Sequence, residues 1–254
     1  MPPAVRFLIF SPHYALYGLR KQLCVSCCAD AVSITSEREG IIMGIILLDI
    51  GNVVVSVDFM PFCKAVARNG DSGAMTIMGR YCEGNLKDRF DSGMIAPHEF
   101  LGMIASDPLT VDMPLHELRL TWQNIFTLQP GCIEAVKQLQ ARHTVWIMSD
   151  TDPLHFAGLI NTFPVLRSME RYFLSYEHGY LKRSADAFRH VIDCSGIDAR
   201  ELILIDDKPV NCAAGRSVGI DSVLFRNWPE TLASPAFAGA PASGHSFPDP
   251  EVKL

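Results

Sequence analysis

No stretch of this 254-residue chain stays apolar for long enough to cross a bilayer; the longest run, residues 41–48, stops on Asp49. Basic residues are also short: 22 Lys and Arg against 28 Asp and Glu leave a net charge of −6 and a pI near 5.7. That balance argues against a nucleic-acid partner, which needs a basic face. Phosphate ligands remain open, because one lysine and a divalent cation can offset a local charge. A regular cysteine framework is missing as well. Eight cysteines are scattered over a chain of this size, which reads as reduced thiols in a cytosolic (cytoplasmic) protein. Cys24, Cys27 and Cys28 make a CxxCC cluster, yet no second Cys or His pair follows at zinc-finger spacing. There is no internal repeat. The length suits one core domain with an insertion or a small second domain.

Residues 1–42 lack an organised pattern. The apolar segment 7–10 is too short for a signal-peptide core, and His13, Arg20 and Lys21 interrupt any continuation. Met43 stands just before the first clean strand. Residues 1–42 are therefore expected to be a disordered extension or an upstream start that the cell does not use.

The stretch Ile45-Ile46-Leu47-Leu48-Asp49-Ile50-Gly51-Asn52-Val53 organises the rest of the chain. An apolar strand that ends on a carboxylate and then turns puts Asp49 at the strand's carboxyl end, where open α/β sheets bind ligands. From about residue 60 to 128 the apolar spacing turns helical, and helices are expected over 61–68, 74–90, 97–105 and 115–126. From Pro130 helix and strand alternate, with strands over 143–148, 172–175, 202–205 and 221–225. Such alternation predicts a Rossmann-like open parallel sheet with helices on both faces. The expected layout is a core of 43–58 and 129–227, a four-helix insertion over 59–128, and a disordered tail over 228–254, where Pro, Ala, Gly and Ser dominate.

Four groups stand at or just after expected strand ends: Asp49, Ser149, Lys182 and the pair Asp206-Asp207. Taken singly, Ser149 reads as a cap before Pro153, Lys182 as a solvated lysine, and Asp206-Asp207 as a turn. Together they form a different set. Carboxylates that converge repel one another unless they share a cation, as Mg²⁺ is shared in oxygen-ligand sites. A hydroxyl and an ammonium supply donors to anionic oxygens, and an attacking Asp supplies covalent phosphoryl chemistry.

These residues resemble the motifs of the haloacid dehalogenase-like hydrolase superfamily, over roughly residues 44–225. Asp49-Ile50-Gly51-Asn52-Val53 is similar to the first motif of a phosphatase branch that reads Asp-x-Gly-Asn-Val. Met148-Ser149-Asp150-Thr151-Asp152 resembles the second motif, Gly179-Tyr180-Leu181-Lys182 the third, and Ile205 through Asn211 the fourth. Gly93, Glu99-Phe100 and Trp122-Gln123 also sit where that branch keeps such residues, and the helical insertion resembles its cap. The resemblance implies a Mg²⁺-dependent phosphatase acting on a small phosphorylated metabolite, a sugar phosphate or similar monoester, with Asp49 as nucleophile. It implies Mg²⁺ held by Asp49, the carbonyl of Gly51 and Asp206, with support from Asp207. Ser149 and the amide of Asp150 would hold phosphate oxygens, and Lys182 would neutralise their charge. The cap would close over the substrate and set its identity from residues 80–90 or Trp122.

Three positions depart from the superfamily pattern. Gly51 stands where most of its phosphatases have a second Asp as general acid and base, a group worth about 10²–10⁴-fold in rate. Gly51 is read as allowing an unusual turn. Asp150 replaces an Asn and Arg183 replaces a Pro. These departures motivate one alternative, a phosphate-binding scaffold without turnover. A haloacid dehalogenase is a second alternative, disfavoured by the doubled Asp206-Asp207, since attack on carbon needs no metal.

Overall fold

The computed structural model describes residues 44–237. The expectations for residues 1–42, for the Cys24, Cys27 and Cys28 cluster and for 238–254 lie outside those residues. Seven strands are described: β1 (Ile45–Leu48), β2 (Val55–Val57), β3 (Phe126–Leu128), β4 (Thr144–Ser149), β5 (Arg171–Leu174), β6 (Leu202–Asp206) and β7 (Asp221–Leu224). Five of them form a parallel sheet in the order β5-β4-β1-β6-β7, with β1 at its centre.

The sheet's register follows from its apolar content. Residues 45–48 are buried throughout, as expected of a strand covered on both faces. Successive side chains alternate between those faces. Ile46 and Leu48 join Ile147 and Ile205 in one core; Ile45 and Leu47 join Trp146, Met148 and Leu204 in the other. Each fully buried aliphatic side chain contributes roughly 1.5–3 kcal/mol, and a one-residue slip of β1 would exchange the two sets.

Helices cover both faces and fill the insertion. Between β2 and β3 lie α1 (Met60–Val66), α2 (Gly70–Ile77), α3 (Gly84–Asp91), α4 (Pro97–Ala105) and α5 (Leu115–Gln123). The core helices are α6 (Cys132–Gln140), α7 (Pro153–Thr162), α8 (Ser175–His178), α9 (Ala185–Ser195), α10 (Pro209–Ser217) and α11 (Trp228–Leu232). One sheet face packs on α6, whose Cys132, Val136 and Leu139 are buried; the other packs on Phe188 and Val191 of α9.

The insertion departs from the sequence expectation at two places. A single helix over 74–90 is instead α2, a π turn (Met78–Cys82) and α3, separated by Glu83 in extended backbone. Gly84 follows at φ +69°, a conformation that costs a side-chain-bearing residue about 1–2 kcal/mol, so the break is built around that glycine. The helix expected over 115–126 ends at Gln123, and Phe126–Leu128 becomes a strand paired antiparallel with β2 (Val57↔Phe126). The insertion therefore enters and leaves side by side. Its interior is aromatic: Phe90 stacks on Phe100 with centroids 4.0 Å apart, and Phe62 and Phe100 both set edges against Trp122.

Residues 228–237 depart from the disordered tail expected there. They form α11 and a 3₁₀ turn, and Trp228 and Phe237 are buried in the core that contains Ile46. Asn227 caps α11 by accepting from the Glu230 amide at 2.9 Å, with Pro229 in the first turn. Local capping and two aromatic anchors outweigh a composition that reads as disordered.

Candidate active site

At the carboxyl ends of the sheet the register sets the site. Leu48 pairs with both Ile147 and Ile205, so Asp49 and Asp206, the next residues on neighbouring strands, stand level. The Asp49 amide continues the ladder by donating to the Ile205 carbonyl at 3.0 Å. Ser149 ends β4 and is buried. Beyond Asp49 the chain folds back so tightly that the amides of Val53, Val54 and Val55 all donate to the Ile50 carbonyl.

That turn corrects one expectation. Gly51 is not in the left-handed region, and a Cβ there would meet only Val57 Cγ2 at 3.5 Å, an ordinary contact. The left-handed residue is Asn52, at φ +56°. Its side chain holds the turn by accepting from the Val57 amide at 3.3 Å and donating to Asp207 at 3.2 Å.

Lys182 is the electrostatic centre. It is buried, with Nζ 2.7 Å from Asp49 Oδ1 and 2.5 Å from Asp206 Oδ2. Burial works against its charge, but Asp49, Asp206 and Asp150 outweigh that and hold the ammonium above its ordinary range. Asp206 is held as a carboxylate despite its burial, by Lys182, the Lys208 amide (2.8 Å) and Asn211 Nδ2 (2.9 Å). Asp49 is different. Burial pushes it up to about 7, with Lys182 opposing and Asp206 adding to the rise. Its Oδ1 also accepts from the Ile50 amide at 2.7 Å.

The acidic group has the donor set of a hard cation. One carboxylate oxygen from each of Asp49, Asp206 and Asp207 lies within 4.8 Å of the others. Asp207 Oδ1 is buried without a hydrogen-bond partner, a costly arrangement that a cation relieves.

Asp150 and Arg183, the two departures beside the site, both serve the loop that carries Lys182. The Asp150 carboxylate accepts from the Lys182 amide at 2.9 Å. Arg183 makes a two-pronged pair with Asp88 of α3, at 3.0 and 2.9 Å, and so joins that loop to the insertion. At the end of α8, just before that loop, His178 Nδ1 accepts from the Tyr180 amide at 3.1 Å. Burial, and then the neighbouring His190, push His178 down from 6.5 to about 4. A histidine depressed in the folded state contributes stability that is present above about pH 6.5 and lost as pH falls through 4. Across that window the unfolding free energy is expected to fall by about 1–2 kcal/mol from this group. His178→Gln should flatten that part of the curve in urea titrations at successive pH values; an unchanged slope would remove His178 as its source.

The insertion roofs a cavity of about 380 Å³ above these groups. Asp49, Ser149, Asp150 and Lys182 line its floor, and Glu83, Lys87, Asp88 and Asp91 line the roof. Trp122, one of the sequence candidates for substrate choice, does not face the cavity; it is fully buried inside the insertion. Arg80 is also elsewhere, paired with Asp107. Of the expected stretch 80–90, Cys82, Glu83, Gly84, Lys87 and Asp88 reach the cavity, and Asp91 just beyond it does too.

A buried charged network, not foreseen in the sequence, joins roof to floor. Asp152 caps α7 by accepting from the Leu154 and His155 amides at 2.9 Å, the role that Ser149 suggests only when taken singly. Its other oxygen takes His155 Nδ1 at 2.6 Å and Lys87 Nζ at 3.4 Å, and Lys87 also pairs with Asp91. His155 Nε2 reaches the Trp122 carbonyl at 2.9 Å, and the two rings stack. Gly93 closes the same junction: it has φ +69°, and a Cβ there would lie 2.2 Å from the Tyr176 carbonyl oxygen. The readable signal was Asp152-Pro153, an N-cap followed by proline; the partners on α3 carried none.

No protein-family profile matches the chain. It is similar to D-ribitol-5-phosphate phosphatase of Bacteroides thetaiotaomicron, 22% identical over 192 residues, covering 72% of this chain and 91% of that protein. Among solved structures it is similar to a HAD family enzyme of the same organism, in complex with magnesium and inorganic phosphate. There the TM-score is 0.62 at 21% identity, over 73% of this chain and 95% of the other. The chain shares the fold of this HAD family structure. The L-2-haloacid dehalogenase of Xanthobacter autotrophicus has the fold too, with TM-score 0.53 at 12% identity over 71% of this chain and 76% of the other. The haloacid dehalogenase-like fold alone therefore does not choose between phosphorus and carbon as the centre attacked. Among the described residues no helix is long and apolar enough to cross a membrane.

Proposed function

We propose that this chain is a Mg²⁺-dependent phosphatase that hydrolyses a small phosphomonoester through an aspartyl-phosphate on Asp49. One observation carries the reading: Asp49, Asp206 and Asp207 bring carboxylate oxygens together beside a buried lysine, and Asp207 Oδ1 is buried there without a partner. A dehalogenase has no use for that acidic group. Mg²⁺, when bound, offsets the charge between the phosphate and these carboxylates, and Asp49, Asp206, Asp207 and the Gly51 carbonyl are its proposed ligands.

The protein's own groups then divide the work. Lys182 and the Ile50 amide hold Asp49 Oδ1, so attack on phosphorus falls to Oδ2. The P–O bond to the leaving alcohol breaks as the Asp49–phosphorus bond forms. Ser149 and the Asp150 amide hold the transferring oxygens, and Lys182 spreads their charge. Water then cleaves the acyl phosphate and restores the carboxylate. Gly51 donates no proton, so the alcohol takes its proton from water or from a neighbouring hydroxyl of the substrate.

The roof supports one substrate class over others. Glu83, Asp88 and Asp91 are carboxylates able to accept from hydroxyls; Arg183 pairs with Asp88 and Lys87 with Asp91, so Glu83 carries the wall's excess negative charge. Such a wall suits a neutral polyhydroxylated chain and repels a second phosphate or a carboxylate. The similarity to a D-ribitol-5-phosphate phosphatase points the same way. Phosphate release is therefore expected from pentitol and sugar monophosphates with Mg²⁺, falling to background with EDTA and returning when Mg²⁺ is added back. Equal rates on bisphosphates or phosphorylated acids would overturn the substrate class. Mg²⁺ binding with no release from any monoester would favour the scaffold reading instead.

A further inference from the structure

Two thiols of the insertion touch beside the cavity. Cys63 lies on the buried face of α1, and Cys82 ends the π turn, immediately before Glu83 and Gly84. Their sulfurs are 3.6 Å apart, both side chains are buried, and Cys82 reaches the cavity wall. We propose that Cys63 and Cys82 form an oxidation-sensitive pair that closes to a reversible disulfide and thereby reshapes the substrate-facing wall.

The geometry needs little movement. A disulfide places its sulfurs about 2.05 Å apart, so closure is a shift of roughly 1.5 Å. That shift falls on Cys82, because Cys63 is inside a regular helix whereas Cys82 borders the extended residue Glu83. Movement there is passed to Glu83, Gly84 and the start of α3, which carries Lys87, Asp88 and Asp91. The nucleophile, the acidic pair and Lys182 belong to the core and are not on this path. The other described cysteines, Cys132, Cys194 and Cys212, sit on the separate helices α6, α9 and α10.

A small peroxide fits the step, since the cavity that admits substrate also reaches Cys82. Peroxide converts one thiol to a sulfenic acid and leaves as water. The second sulfur then forms the S–S bond and displaces the hydroxyl, which takes up the remaining thiol proton and leaves as a second water. The two thiols together lose two electrons to the peroxide, and dithiothreitol returns them.

Non-reducing peptide mapping of the full chain after mild hydrogen peroxide tests the bond itself. A Cys63–Cys82-linked peptide that disappears with dithiothreitol is expected, and Cys63→Ser and Cys82→Ser should each abolish it. Both thiols still open to alkylation after peroxide, or linkage of either to another cysteine, would overturn the pair. The effect on turnover rests on the phosphatase reading: oxidation should raise KM several-fold with less change in kcat, and Cys63→Ser should be insensitive. A linked peptide with unchanged KM would overturn the reshaping. A linked peptide in a chain with no phosphatase activity would instead count against the phosphatase reading and leave the bond standing.

Discussion

Asp49→Asn is expected to reduce kcat by about 10⁴-fold or more, to the background of the assay, while the protein still folds and binds Mg²⁺. The amide keeps the shape of the side chain, and its oxygen can still accept from Lys182 and the Ile50 amide, the two contacts made by Oδ1. What it cannot do is attack phosphorus. The change also removes one of the charges crowded with Asp206 and Asp207, so thermal stability in the absence of Mg²⁺ should hold or rise. Phosphate release measured beside a thermal melt separates lost chemistry from lost fold. Activity that survived in a well-folded variant would place the nucleophile elsewhere.

Lys182→Met is expected to act on both stability and rate. Lys182 is the buried partner of Asp49 and Asp206, and removing it leaves both carboxylates buried without their cation. Breaking a buried pair from one side costs about 3–5 kcal/mol. The expected result is a lower urea midpoint without Mg²⁺ and a partial recovery with it, larger than the gain Mg²⁺ gives the parent protein. Phosphate release should stay near background even in Mg²⁺, because the charge on the transferring oxygens is no longer spread. An unchanged midpoint would mean that water reaches these carboxylates and that Lys182 contributes little to the folded state.

The sequence was informative where a local pattern and a physical constraint coincide. Asp49 and Asp206 each end a short apolar run of strand length, so their placement at strand carboxyl ends was readable before any contact was known. Lys182 was readable only through its place in the order of motifs, since nothing local marks a lysine as buried. The roof was not readable. Lys87 pairs with Asp152, 65 residues away, and no spacing rule links a helix of the insertion to the cap of a core helix. The division of the helix expected over 74–90 turned on Gly84, which a periodicity count passes over as a tolerated residue. At the first motif the left-handed residue is Asn52 and not Gly51. Composition misled at 228–237, where Trp228 and Phe237 contribute more to burial than the surrounding small residues suggest.

The strand order bears on how the chain is made. β1 pairs with β4 and β6, which begin at Thr144 and Leu202, so both neighbours of the nucleophile strand leave the ribosome after it. At about 5–20 residues per second, Ile45–Leu48 waits several seconds with its backbone unpaired and its apolar side chains uncovered. The helical insertion emerges during that interval. Apart from Leu154, the buried residues of its core come from 62–125, so it can bury its own aromatic surface before the sheet exists. Nascent chains stalled between the insertion and β4 should accordingly protect the insertion from protease while leaving β1 as the segment most available to a chaperone.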